Sequence, residues 1–163
     1  MSDLRIRKRV RLKAKQSKAL REQLEAVFPG TTLWDDGAAV ETGNLPDLDV
    51  IIVDGTIHGV FQGEAPFLSV RGVLAYRPTA RSVTVDMGAI KFVHNGADVM
   101  APGIVAADGD LQVGDWCWIK DEQNGQPLAI GHCLMPGAEM PKNKGKAVAS
   151  VHHIGDKVWG LDS

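Results

Sequence analysis

Cations lead among the residues that could do chemistry. Arg5, Arg7, Lys8, Arg9 and Arg11 crowd into one short stretch, Lys91, His94 and Asn95 fall at helical spacing, and Lys142, Lys144 and Lys146 alternate with Asn143 and Gly145. The chemistry open to such groups is charge neutralisation: Lys and Arg gain by displacing counterions from phosphates, which favours a polyanionic partner. Each cluster also has a blander reading. An alternating basic strand can be a sheet edge kept soluble by its charge, the Lys91 stem can cover apolar surface, and 142–146 can be solvated linker. Other chemistry finds less support. His132-Cys133 and His152-His153 put neighbours on opposite faces of a strand, and Cys117 and Cys133 form no Cys-x-x-Cys pair, so no metal site or cofactor is expected. Ser69 lies in no nucleophile elbow, and no Walker loop or dinucleotide glycine fingerprint is present. Asp35-Asp36 and Asp121-Glu122 fall at turns and read as surface residues. With no catalytic constellation, the chain is not expected to be an enzyme.

The elements that position these residues fit a modest two-part fold. The chain has 163 residues, 44% hydrophobic and 23% charged, which is the size of one domain or two very small ones. No apolar run is long enough to span a membrane and the N-terminus lacks a secretory pattern, so a reducing cytoplasm is expected. Charge is unevenly spread. Residues 1–21 carry nine Lys/Arg against Asp3, a balance of +8, leaving −10 for the rest.

From Leu4 to Leu12 apolar and basic residues alternate, broken at Lys8, which predicts a half-buried strand with one cationic face. Ser17 is placed to cap a helix carrying Leu20, Leu24, Val27 and Phe28, stopped by Pro29-Gly30. Short strands follow at 38–41, 49–53 and 56–61, the last two joined by a tight turn at Asp54-Gly55. Residues 66–76 fit neither period. Pro78 suggests a boundary near residue 80, giving domains 1–79 and 80–163. Beyond it, a strand at 82–86 leads through Asp86, as helix cap, into a short helix ending at Gly96. There Ala89, Ile90, Phe92 and Val93 share the packing side, and Lys91, His94 and Asn95 the free side. Strands at 97–100, 103–107, 115–121, 126–135, 147–154 and 157–161 then predict a small, nearly closed β-barrel. Trp116, Trp118 and Trp159 are expected to fill it, and Trp34 to be exposed.

The segment Val85–Val105 closely resembles the signature of PUA domains, RNA-binding barrels found in pseudouridine synthases and archaeosine transglycosylases. The likeness continues in Ile130–Met135, Lys144–Val148 and His153–Trp159, and covers about 81–160. In the first half, Leu20–Gly30 and Gly63–Phe67 resemble the pre-PUA domain of the malignant T-cell-amplified translation factors and their archaeal relatives, which Gly88–Val93 also match. The implied fold is α+β: a small α+β pre-PUA domain followed by a PUA β-pseudobarrel with a short helix. The implied function is RNA binding in the translation machinery, near the small ribosomal subunit and the acceptor end of tRNA. Family position then nominates Lys91, Gly96, Ala97, Met100 and the 142–153 region, with Lys142, Lys144, Lys146 and His153, as RNA contacts. Arg81 could extend that surface, as could Arg71 and Arg77, with Arg5, Arg7, Arg9 and Arg11 as a secondary basic surface. Eukaryotic members work beside a partner bearing an initiation-factor-like domain, so such a partner would come from another chain. Two alternatives stay open: a non-catalytic RNA-targeting subunit of a tRNA or rRNA modification enzyme, and an adaptor whose basic head meets an acidic protein.

Overall fold

A computed structural model describes residues 4–161, and the chain divides into two compact units, one formed by 1–78 and one by 79–159, with the residues from Gly160 grouping with the first. The first unit is a five-stranded antiparallel sheet in simple sequential order: β1 (Arg7–Arg11), β2 (Val40–Asn44), β3 (Asp49–Val53), β4 (Thr56–Gln62) and β5 (Ala65–Leu68). The β3–β4 hairpin closes at Asp54-Gly55, whose φ values of 49° and 91° are those such a tight turn needs. Helix α1 (Ala14–Val27) buries Leu20 and Leu24, and Phe28 at its end lies with its ring centroid 4.9 Å from that of Phe67 in β5. This apolar contact fixes the helix on the sheet.

Two expectations fail here for one reason. Ser17 does not cap α1: the helix starts a turn earlier, where the Gln16 side chain accepts a 3.0 Å hydrogen bond from the Lys13 backbone N–H. Ser17 Oγ instead accepts from Trp34 Nε1 at 3.2 Å, and Trp34 is buried rather than exposed. The indole's polar edge is thus satisfied inside the unit. The ambiguous 66–76 stretch resolves into β5 and helix α2 (Val70–Tyr76). Ser69 Oγ donates to the Ile57 carbonyl at 2.8 Å and accepts from Gly72 N–H at 3.1 Å, so one hydroxyl ends the strand and caps the helix. Arg77 ends α2 in the left-handed region at φ 52°.

The second unit is a six-stranded, nearly closed sheet in the order β7-β11-β10-β9-β6-β8. Its strands are β6 (Ser82–Val85), β7 (Val99–Met100), β8 (Ile104–Ala107), β9 (Trp116–Asp121), β10 (Pro127–Cys133) and β11 (Lys146–His153). The β6–β9 pair is parallel and the others antiparallel. The interior holds Val83, Val85, Cys117, Ile119, Leu128 and Val148. Trp116 and Trp118 are buried, but strand alternation puts them on the face opposite Cys117 and Ile119. They therefore do not fill the barrel. Trp116 instead stacks on His132, with ring centroids 3.9 Å apart, and Trp118 Nε1 donates to the Ala80 carbonyl at 2.8 Å.

Helix α3 (Ile90–His94) follows a 3-10 turn over Met87–Ala89. The expected last strand is a helical turn, α4 (Lys157–Gly160), because Asp156 caps it: Oδ1 accepts from Trp159 N–H at 2.8 Å and Oδ2 from His153 N–H at 2.9 Å. Trp159 is half-buried there. Asp121, expected at a solvated turn, is buried and accepts from Asn124 N–H at 2.6 Å.

Candidate nucleic-acid interface

The site begins where β6 runs out. Asp86 Oδ1 accepts from Ala89 N–H at 2.9 Å, which starts the helical turn, while Asp86 N–H donates to the Gly103 carbonyl at 2.9 Å and ties that turn to the head of β8. Within α3, Val93 is buried and Ile90 packs against the core. Lys91, Phe92, His94 and Asn95 face outward. Phe92, read from the sequence as a packing residue, is 56% exposed. Its ring and the 47%-exposed Met100 stand in a groove of about 340 Å³, whose other walls include Val99, Pro102, Asp86 and Asp98. Lys91 Nζ lies 5.1 Å from the Phe92 ring centroid, a cation–π contact that holds charge beside an apolar face.

The end of α3 is set by hydrogen bonds from Gly96 N–H to the Val93 carbonyl and from Ala97 N–H to the Phe92 carbonyl, both 3.0 Å. Gly96 has φ +83°, and a Cβ there would stand 3.0 Å from His153 Nε2. His153 Nδ1 lies 2.8 Å from the Ile154 carbonyl. A carbonyl only accepts, so Nδ1 carries the proton and Nε2 is the nitrogen turned to the glycine. Glycine is thus required twice over, by backbone and by the imidazole. Pairing of β7 with β11 sets Met100 opposite Lys146 and Val99 opposite Val148. Asp98 bridges the same strands: Oδ1 accepts from Ser150 N–H at 3.0 Å and Oδ2 lies 3.4 Å from Lys146 Nζ.

The fold thereby gathers Lys91, Gly96, Ala97, Met100, Lys146 and His153 around one edge of the barrel. Exposed Lys144 is two residues from Lys146, and Lys142 closes a 3-10 turn over Gly137–Lys142. Arg81 is not gathered with them. It precedes β6, at the end opposite Asp86, with its backbone N–H donating to Asp108 Oδ2 at 2.8 Å and its guanidinium 3.7 Å from Asp115. Arg5, Arg7, Arg9 and Arg11 belong to the first unit, as do Arg71 and Arg77. Phe92, Asp98 and Pro102 are the groove residues that sequence reasoning missed. A signal for Phe92 existed, since a five-residue helix turns too little to bury a full apolar stripe. Among the described residues no three His, Cys, Asp or Glu side chains gather as metal donors, and no helix is long and apolar enough to cross a membrane.

Comparison with known proteins bears on what this edge is. The PUA domain model matches residues 81–155, which contain the whole groove and the β7–β11 pair. An uncharacterized protein of Methanocaldococcus jannaschii, MJ1432, is 37% identical over 97% of this chain and 99% of its own length. The chain belongs to the PUA-domain proteins. Translation machinery-associated protein 20 of Saccharomyces cerevisiae is 39% identical over 49% of this chain and 48% of its own. Malignant T-cell-amplified sequence 2 of Mus musculus is 27% identical over 93% and 90%. The crystal structure of hypothetical protein PH0734.1 from Pyrococcus horikoshii superposes with a TM-score of 0.81 at 31% identity, covering 95% of this chain and 99% of that one. The α+β architecture with a PUA barrel is therefore a property of the chain, and its relatives include a protein named for the translation machinery.

Proposed function

We propose that this PUA-domain protein is a non-catalytic RNA-binding protein of the translation machinery, which takes the single-stranded end of a structured RNA, a tRNA acceptor end or a small-subunit rRNA segment, into the α3–β7 groove. The observation that carries the reading is the pairing of exposed Phe92 and Met100 walls with Lys91 and Lys146 at the rim. An unpaired base gains by stacking on such walls, and phosphates gain by meeting the lysines. Gly96 and Ala97 let the backbone of the RNA come close, and Lys142 and Lys144 extend the cationic rim. The first unit acts as a pre-PUA domain that meets a separate, initiation-factor-like protein at the small ribosomal subunit, in the cytoplasm.

The test is a binding titration of the full chain with an RNA hairpin bearing a single-stranded 3′ end and with the same hairpin made blunt. The overhang should bind more tightly. Phe92→Ala should cost the overhang about 1–3 kcal/mol, or roughly five- to hundred-fold, and leave the blunt form unchanged. Lys91→Ala should lessen the slope of log affinity against log salt by about 0.7–0.9. Equal affinity for both hairpins, untouched by Phe92→Ala, refutes the groove as the RNA site.

A further inference from the structure

The first unit carries a second cationic surface, and it is built differently from the groove. Every residue of β1 is exposed, Arg7, Lys8, Arg9, Val10 and Arg11 alike, and exposed Lys13, Lys15 and Lys18 follow at the start of α1. Carboxylates are scarce around it. Arg9 forms a two-pronged pair with Glu41, at 3.0 and 2.8 Å, and that guanidinium holds the Glu41 carboxyl below the usual range. Arg11 stands opposite the same Glu41 in the β1–β2 ladder, so one carboxylate is set against two guanidinium groups. Among the described residues, Arg5, Arg7 and Lys8 meet no carboxylate at ion-pair distance.

Two uses compete for such a strand. β1 is the terminal strand of its sheet, and an open edge can accept a further strand from an acidic peptide. The backbone argues against it. Lys8 sits at φ 51°, and the ladder slips between Arg7 and Val10, so three steps on β1 face two on β2. A bulge centred on a lysine is how sheets spoil an edge for pairing. What remains is charge, and most of it is guanidinium. Arg5 and Arg7 precede the bulge and Arg9 and Arg11 follow it, each pair two residues apart and so spaced by about 6.6 Å in extended chain. That is close to the step between successive phosphates on a nucleic-acid strand, and the guanidinium fork matches phosphate oxygens.

We infer that the β1–α1 face of the first unit is a second, sequence-independent site for the phosphate backbone of paired RNA. It goes beyond the groove reading and does not rest on it. The probe that isolates it is the blunt RNA hairpin, which offers no single strand. In the full chain, the triple variant Arg7→Gln, Lys8→Gln, Arg11→Gln should bind that hairpin at least tenfold more weakly at low salt. Its slope of log affinity against log salt should fall by about 2–3. The charge-keeping variant Arg7→Lys, Arg11→Lys should retain the slope, which separates lost charge from lost fold. Phe92→Ala should leave both quantities alone, so failure of the groove and failure of this face are told apart. Unchanged affinity and slope in the triple variant overturn the inference. So does a result in which polyglutamate, at matched charge, displaces the hairpin and depends on the same three residues, because the face would then serve an acidic protein.

Discussion

Replacing Gly96 with alanine tests the geometry at the heart of the groove edge. Two costs can be worked out separately. Gly96 lies at φ +83°, and holding an L-residue in the left-handed region costs about 1–2 kcal/mol. The added Cβ would also meet His153 Nε2 at 3.0 Å, some tenths of an ångström inside the ~3.5–4.0 Å at which carbon-sized atoms rest. His153 is not free to swing aside, because its other ring nitrogen is bound to the Ile154 carbonyl at 2.8 Å. Overpacking of this kind costs about 1–3 kcal/mol, so the substitution should destabilise the second unit by roughly 2–4 kcal/mol in all. In a His153→Ala background the steric part vanishes and only the backbone part, about 1–2 kcal/mol, remains. The coupling between the two positions should therefore exceed the ~0.5 kcal/mol within which independent sites add. Denaturant unfolding followed by indole emission suits the measurement, in a Trp34→Phe background where the remaining tryptophans, Trp116, Trp118 and Trp159, all lie in the second unit. An equal cost of Gly96→Ala in both backgrounds refutes the contact, and a cost below about 0.5 kcal/mol refutes the left-handed backbone as well.

Two titrations probe the packing of each unit. The chain's one tyrosine, Tyr76, has its phenol pushed up to about 12, chiefly by burial and further by Asp54, and lies 2.6 Å from His58 Nδ1. Its ultraviolet titration should have a midpoint near 12. The stability it gives is full below the ordinary value of about 10 and is lost as pH rises through the folded value. A midpoint near 10 with the protein still folded refutes the burial. Asp156 behaves in the opposite sense. Burial raises its carboxyl, but the His152 hydrogen bond and charge, with the Trp159 and His153 N–H groups, together outweigh that and hold it below the usual range. Its contribution is present above the unfolded value of about 3.9 and lost as pH falls through the folded one. Asp156→Asn should cost about 1 kcal/mol at neutral pH and flatten the acid limb of the stability profile. An unchanged acid limb refutes the pairing.

Local chemistry explains what could be read from the chain alone. The Asp54-Gly55 hairpin, the Asp86 cap and the succession of short strands are written in neighbouring residues, and the structure contains them. What escaped was decided at long range. A period of two says that Trp116 and Trp118 share a face and Cys117 and Ile119 the other, but all four are apolar, so the pattern is silent on which face is interior. Phe92 shows the same limit for helices: in a segment as short as α3 a wheel assigns sides with little discrimination, and tertiary packing chose Val93 and Ile90 for the core. At 157–161 five residues are too few to separate periods, and the Asp156 carboxylate settled the matter by capping. The groove has no local signature at all, because one wall, Met100, is held by a ladder to Lys146 far along the chain.

The charges lining that groove constrain how an RNA could lie in it. Asp86 and Asp98 both face the space. Asp98 is engaged twice, by Lys146 Nζ and by Ser150 N–H, whereas Asp86 has one oxygen, Oδ1, bound to the Ala89 amide. A phosphate pushed between the walls would meet the Asp86 carboxylate in partly apolar surroundings, where like-charge repulsion is strong. A base meets no such penalty: its flat face fits the Phe92 and Met100 walls, and an amino group on its edge could donate to the second Asp86 oxygen. On the proposed reading the sugar-phosphate chain therefore runs along the rim, past Lys91 and Lys146, with the base turned inward. Lys146 gives up part of its charge to Asp98 in that arrangement, which leaves Lys91 as the stronger phosphate contact of the two.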